Sequence, residues 1–245
     1  LNLFTALIRD TLGVMPAAHR TARERARAEV TAAIKDEART QLAKVGAEAL
    51  SLRAVARQLG MVSSALYRYF PRKDDLLTAL IVDAYNSLGT TAEAAAGTET
   101  HPRARWQATC HAIRAWARAN PHEYSLIFGS PIPGYAAPVD TITPASRVPL
   151  ALIAVVTAAV EQDLISSPHP QPALTAPLEA QAADVGARFA PGIPAPVLAR
   201  LFVAWTQLFG MLSFELTGQF ANSLEPADAF FGYAVDDMAT FVGLH

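Results

Sequence analysis

A chain of 245 residues, 51% hydrophobic and 17% charged, is large enough to bury a core and too apolar to be disordered. Its single cysteine, Cys110, excludes an internal disulfide and a cysteine-cluster zinc site, and suits a reducing cytoplasm. The net charge of −2 conceals two opposed segments: twelve Lys/Arg against five Asp/Glu from Arg20 to Lys73, and seven against sixteen from Asp74 onward. That asymmetry predicts a basic module for an anionic partner, joined to an acidic remainder.

Residues 1–18 lack the charged start and long apolar run of a signal peptide. The most apolar segment, Val148–Val160, is shorter than the roughly 20 residues that span a bilayer, so no membrane partner is expected. The chain has no Gly-rich phosphate loop, nucleophile motif or paired His/carboxylate array. His111 and His122-Glu123 find no partner at metal-ligand spacing. Neither an enzyme nor a cofactor or metal is expected.

In chain order, residues 1–19 form an N-terminal extension upstream of the first periodic pattern, with Met15 as an alternative start. From Thr21, Val30, Ile34, Ala38, Leu42 and Val45 recur at helical spacing, and Gly46 is the stop. Ser51 caps a second helix with Leu52, Val55, Ala56 and Leu59 inward, followed by Gly60. A third helix is predicted from Ser63 to Tyr69, ended by Pro71. Asp74 and Asp75 open a fourth, carrying Leu76, Leu77, Leu80 and Ile81 inward and fading near Gly89. Further helices are predicted over 103–119 and 148–165, with a proline-rich loop at 129–144. Residues 166–196 hold seven prolines and read as a linker that can carry a short helix at Leu178–Phe189. Two long apolar helices, 196–220 and 226–244, close the chain. With no strand-period run, the fold class is all-α.

Two short helices joined by a glycine turn, the second bearing basic and small polar residues, make a helix-turn-helix unit. A helix of that width fits the major groove while its predecessor lies across the backbone. Here the sequence resembles the TetR family, through Ala56, Gly60, Leu66-Tyr67, Tyr69-Phe70 and Lys73-Asp74-Asp75-Leu76-Leu77, with Ile34, Ala38 and Gly46 upstream.

The resemblance implies a three-helix helix-turn-helix DNA-binding domain at 20–73. A larger α-helical ligand-binding and dimerisation domain follows at 74–245. It implies that Tyr67 and Lys73 bind phosphates, that Arg53 sits near backbone or base edges, and that Ser63, Ser64 and Tyr69 face the groove. Arg57, Arg68 and Arg72 are read as diffuse electrostatic contributors. Val62 departs from the pattern, because the family often has a hydroxyl residue capping the recognition helix there. Either Ser63 caps a shifted helix or the cap is weaker.

The partners implied are a double-stranded DNA operator, a second copy of the chain through about 196–244, and a small-molecule effector. The segment around Trp205, Gly210 and Glu215 is similar to a subgroup described by a Trp-His-Gly pattern, with Phe209 standing where its histidine is expected. Trp106, Cys110, Ile113, Trp116, Tyr124, Phe128, Trp205 and Phe209 are the candidates to line an apolar effector pocket. The function expected is a ligand-responsive regulator, a repressor by family habit.

Overall fold

The computed structural model describes residues 21–166 and 172–245, so the expected extension at 1–19 lies outside the described residues. The described residues are all-α. The helices are α1 (Ala22–Val45), α2 (Leu52–Gln58), α3 (Ser63–Leu66), α4 (Lys73–Ala96) and α5 (Pro102–Ala119). They continue with α6 (Pro121–Phe128), a 3-10 turn (Val139–Thr141), α7 (Ile142–Glu161), α8 (Ala176–Phe189), α9 (Ala195–Leu216) and α10 (Ala227–Val242). Extended pairing among the described residues is confined to a bridge between Ile165 and Leu244.

Local chemistry accounts for the early boundaries. Thr21 and Glu24 form a reciprocal capping box at the start of α1, and the Gly46 N–H closes it on the Leu42 carbonyl. Ser51 accepts from the Ala54 N–H to open α2. α3 is shorter than the predicted 63–69, because Tyr67–Tyr69 turn back through Tyr69 N–H to the Leu66 carbonyl at 2.8 Å.

Several boundaries differ from the sequence expectation. α4 runs through Gly89 to Ala96 instead of fading there. Gly89 serves a close approach: a Cβ added to it would stand 2.7 Å from Arg147 Cβ on α7. Arg147 then reaches along α4, donating to Glu93 at 2.6 and 2.8 Å and to the Asn86 carbonyl at 2.9 Å. The Arg147 guanidinium holds the Glu93 carboxyl below the usual glutamate range. This contribution is present at neutral pH and is lost as the pH falls through the folded-state pKa of Glu93. Alanine normally stabilises a helix over glycine by about 1 kcal/mol. Here Gly89→Ala is expected to destabilise the protein by about 1–2 kcal/mol through overpacking. A melting temperature equal to or above that of the parent would contradict the close-approach reading.

α6 lies in a stretch the periodicity left unassigned, since its eight residues are shorter than the window a helical period needs. α7 begins at Ile142, ahead of the predicted 148, because Pro144 falls in its first turn where a missing N–H costs nothing. α9 ends at Leu216, short of the predicted 220. Val139–Glu161, longer than the 148–160 segment read from the sequence, and Ala195–Leu216 are both long and apolar enough to cross a membrane by length and composition. In α9 the buried residues Leu198, Leu201, Ala204, Leu208 and Leu212 follow one helical face, and the helix packs on α8 and α10.

The described chain divides into two packing units. The first holds residues up to Tyr85 together with His122–Ala145, and the second holds Asn86–Pro121 with Ser146–His245. The core of the first unit is Ile34 and Ala38 of α1, Val55 and Ala56 of α2, Leu66 of α3, and Leu76, Leu77 and Leu80 of α4. Leu126, Ile132 and Tyr135, distant in sequence, pack against that same core. Each fully buried leucine or isoleucine here contributes about 1.5–3 kcal/mol by leaving water.

Charged groups reinforce the first unit. Arg39 of α1 donates to Asp83 of α4 at 2.7 Å and to Glu123 of α6 at 3.0 Å, and Lys35 also meets Asp83 at 2.7 Å. In the second unit α5, α9 and α10 share a charge cluster around the buried Arg114. Arg114 forks onto Glu215 with two 2.7 Å hydrogen bonds, reaches Asp228 at 2.7 Å, and stacks over the Phe231 ring at 4.6 Å.

Candidate nucleic-acid interface

α2 and α3 meet through a turn whose geometry is set by Gly60, which takes φ +66°, a left-handed conformation costly for a residue with a Cβ. The Met61 N–H returns to the Ala56 carbonyl at 2.8 Å and locks the turn. Leu52, Val55, Ala56 and Leu66 are buried, so the opposite faces of both helices are presented outward. Arg53, Ser64 and Tyr67 are exposed, while Ser63, Tyr69 and Lys73 are half-buried.

The start of α3 decides between the two readings of Val62. Val62 itself is the N-cap residue, its side chain makes no capping bond, and Ser63 is the first helical residue. The cap is therefore the weaker one, and no shifted serine cap replaces it. Val62 is also 70% exposed, an apolar side chain at the start of α3. Val62→Thr, nearly isosteric, is expected to raise stability by about 1 kcal/mol by supplying the missing acceptor. Urea denaturation measures this, and an unchanged midpoint would mean that these N–H groups gain nothing from a cap.

Arg53, Tyr67 and Lys73, twenty residues apart from first to last, line one surface depression together with Ser51 and Arg72. The Lys73 ammonium donates to the Glu48 carbonyl in the α1–α2 connection, which fixes the side chain at the rim and leaves two further donors. Arg72 is tied back. Its guanidinium donates to both Asp75 oxygens, at 2.7 and 3.3 Å, and its backbone N–H donates to Asp75 at 2.9 Å. The Arg72 guanidinium holds the Asp75 carboxyl below the usual carboxylate range. Lys73 is the first residue of α4, not the residue before it, and Asp75 already occupies an N–H at that helix start.

Tyr69 stands apart from that depression. It packs against the core of the first unit, and the Arg27 guanidinium of α1 lies 5.0 Å from its ring centroid. Arg27 also donates to the Arg68 carbonyl at 3.4 Å. Sequence reasoning does not single out Arg27, whose one local signal is a basic position on the outer face of α1.

The eight effector-pocket candidates divide between the units. Trp106, Cys110, Ile113 and Trp116 are buried on α5 in the second unit, and Trp205 and Phe209 lie on α9 with ring centroids 6.2 Å apart. Tyr124 and Phe128, centroids 5.1 Å apart, belong to the first unit. The indole of Trp106 donates to the Val235 carbonyl and that of Trp116 to Ser87 Oγ. Burial pushes the Cys110 thiol far above its ordinary range. Among the described residues no three His, Cys, Asp or Glu side chains converge as a metal site.

Comparison with known proteins bears on this geometry. Residues 34–80 match the model for bacterial regulatory proteins of the tetR family, and residues 106–238 match a tetracyclin repressor-like C-terminal domain. The chain is 38% identical over 212 residues to the HTH-type transcriptional regulators Rv1816 of Mycobacterium tuberculosis and Mb1846 of Mycobacterium bovis, covering 82% of this chain and 87% of each relative. The crystal structure of the regulatory protein SCO4313 superposes with a TM-score of 0.72 at 36% identity, covering 90% of this chain and all of that one. The TetR family regulator PfmR from Thermus thermophilus shares the fold at 18% identity, with a TM-score of 0.56 and 86% and 98% coverage. With a helix-turn-helix arrangement at its N-terminal end, a larger helical bundle after it, and relatives alike over most of their length, this chain belongs to the TetR family of DNA-binding transcriptional regulators.

Proposed function

We propose that this protein is a repressor that binds a double-stranded operator as a homodimer and leaves it when a small, largely apolar molecule binds. The observation that carries the DNA half is the convergence of Arg53, Tyr67 and Lys73 on one face of a segment with a surplus of basic residues. In this reading residues 20–73 form a three-helix reader. Tyr67 and Lys73 hold phosphates, Arg53 lies at the backbone or base edges, and Ser63, Ser64 and Tyr69 meet the groove. Residues 74–245 sense the effector and dimerise, and the protein acts in the cytoplasm.

The dimer reading is supported by apolar exposure on the last two helices. Val203 and Phe214 of α9 and Tyr233 of α10 are 51%, 57% and 72% exposed. Gly210 of α9 and Gly232 of α10 meet nothing within 4 Å of where a Cβ would stand, so no contact within the chain calls for glycine there. Glycine inside a helix costs about 1 kcal/mol, a cost that close packing of a second copy offsets. Val203→Glu is expected to shift the protein to monomer in sedimentation equilibrium and to weaken operator binding with it. A variant that stays dimeric would place the interface elsewhere.

For the effector, Trp205 supplies a specific feature: its Nε1–H is buried without a hydrogen-bond partner. Such a donor costs about 1–3 kcal/mol when unmet, and an acceptor on a ligand would satisfy it. Trp106, Cys110, Ile113, Trp116 and Phe209 of the second unit complete the proposed apolar lining, whereas Tyr124 and Phe128 belong to the first unit. The switch is a population shift. Two reading helices about 34–36 Å apart fit successive major grooves, and a ligand that prefers another spacing lowers operator affinity by the difference in its own affinities.

The test is fluorescence anisotropy of labelled duplex from the region flanking this protein's own gene, followed by random-site selection, with nonspecific competitor and a salt series. A selected duplex bound far above random sequence, with a steep salt slope, supports the reading. If selection enriches no sequence, operator recognition fails as the function.

A further inference from the structure

The connection from α2 to α3 ends on a side chain that the fold leaves unused. Met61 packs against the core of the first unit and donates its N–H to the Ala56 carbonyl at 2.8 Å. Leu66, at the far end of α3, is fully buried. Between them the Val62 backbone is fixed at φ −68° and ψ 139°, and its carbonyl accepts from the Ala65 N–H at 2.9 Å. Its side chain makes no capping bond and stands mostly in solvent. Valine thus supplies neither the acceptor that this position favours nor much burial within the chain.

We propose that Val62 is a specificity-determining residue that reads the C5-methyl group of a thymine in the major groove. This role rests on the operator reading above. Against a phosphate, an isopropyl group would displace water from the charge and offer no hydrogen bond. An apolar neighbour suits it, and on the base edges of the major groove that neighbour is the thymine methyl. The deoxyribose is the other apolar surface, and contact there carries no sequence information.

The placement of the proposed phosphate grip favours the base edge. Tyr67 lines the depression shared with Arg53 and Lys73, and Val62 is not among its lining residues. Val62 is the N-cap of α3 and Tyr67 its C-cap, five residues and about 7.5 Å apart along a helix axis. The grip and the valine therefore occupy opposite ends of α3, and recognition helices turn their first residues to the bases. The branched Cβ of valine restricts its χ1, so holding it against a methyl costs little entropy. The hydroxyls of Ser63 and Ser64 can bond to more than one base edge, whereas the methyl sets thymine apart from the other unmodified bases.

The test exchanges thymine for deoxyuridine, which deletes the methyl and keeps the hydrogen-bonding edge. In an unmethylated duplex obtained by random-site selection, each thymine is replaced in turn, in one half-site and then in both, and affinity is measured by anisotropy. At one thymine position the parent protein should lose about fourfold per half-site and about fifteenfold with both, as one methyl leaving water predicts. Val62→Ser, which deletes the methyls and supplies a capping oxygen, should bind the thymine and uracil forms of that position equally. Val62→Thr, which keeps one methyl, should retain part of the preference. Urea denaturation of both variants checks that they are folded. A selected operator in which no thymine responds to uracil would overturn the role of Val62 and leave the operator reading standing. So would a response that persists undiminished in Val62→Ser, since the methyl would then act through another side chain or through duplex shape. A selection that enriches no sequence would instead remove the operator reading, and any base contact by Val62 with it.

Discussion

Arg114→Met is expected to lower the unfolding free energy by about 3–5 kcal/mol, the largest single-residue effect foreseen on stability. Arg114 and Glu215 side chains are only 7% and 15% exposed, and they meet through two 2.7 Å hydrogen bonds. Removing the guanidinium leaves the Glu215 carboxylate with little water and, among the described residues, a weaker cation contact from the exposed Arg118 at 3.8 Å. The cation also stacks on Phe231, so methionine keeps part of the packing while losing the charge. The double change Arg114→Met with Glu215→Leu should recover most of the loss, since an apolar pair of similar volume is often neutral there. Urea denaturation at one fixed protein concentration measures both, because dimer formation makes apparent stability depend on concentration. Were the double variant no better than the single one, the damage would come from lost shape and not from an orphaned charge.

On the proposed reading, Tyr67→Phe should weaken operator binding by about two to four orders of magnitude in the dimer, since each of the two hydroxyls donates one charge-assisted hydrogen bond worth about 1.5–3 kcal/mol. Lys73→Ala should do at least as much and also flatten the salt dependence, by about 0.9 in slope for each phosphate that a subunit no longer neutralises. The loss should be alike for operator and random duplex, as expected of phosphate contacts that orient without reading sequence. Lys73 also ties down the Glu48 carbonyl, so its variant needs a stability measurement beside the binding one. Tyr67 is exposed and bonds through its side chain to nothing else described, which makes Tyr67→Phe the cleaner probe. Unchanged affinity and slope in both variants would remove this face from the DNA contact.

The residues explain how much was legible before the structure. Ile34, Ala38 and Leu42 repeat at helical spacing and are buried on α1, and Ser51 caps α2 as its type and place suggest. These are local effects, and local sequence carries them. Gly89 misleads because a glycine near the end of a pattern signals a stop only when no second helix needs the space; Arg147 does. α6 escapes notice because eight residues hold too few turns to show a period, and the segment after it looks like plain loop. Ile132 and Tyr135 are partly buried through packing against the core of α1 to α4, which no neighbouring residue announces. The site divides likewise. Arg53, Tyr67 and Lys73 are found through resemblance and meet in space, whereas Arg27 over Tyr69 depends on tertiary contact.

The membership of His122–Ala145 in the first unit bears on how such regulators can be recombined. A hybrid that joins the first 85 residues of this chain to the sensor of a relative would exchange Glu123, Leu126, Ile132 and Tyr135 for foreign side chains. Arg39 would then face an untested partner, and the side chains packed against the α1–α4 core would be refitted by chance. Transplants of DNA specificity in this fold should therefore carry two pieces of chain, the N-terminal helices and the α6 segment, as one inheritance.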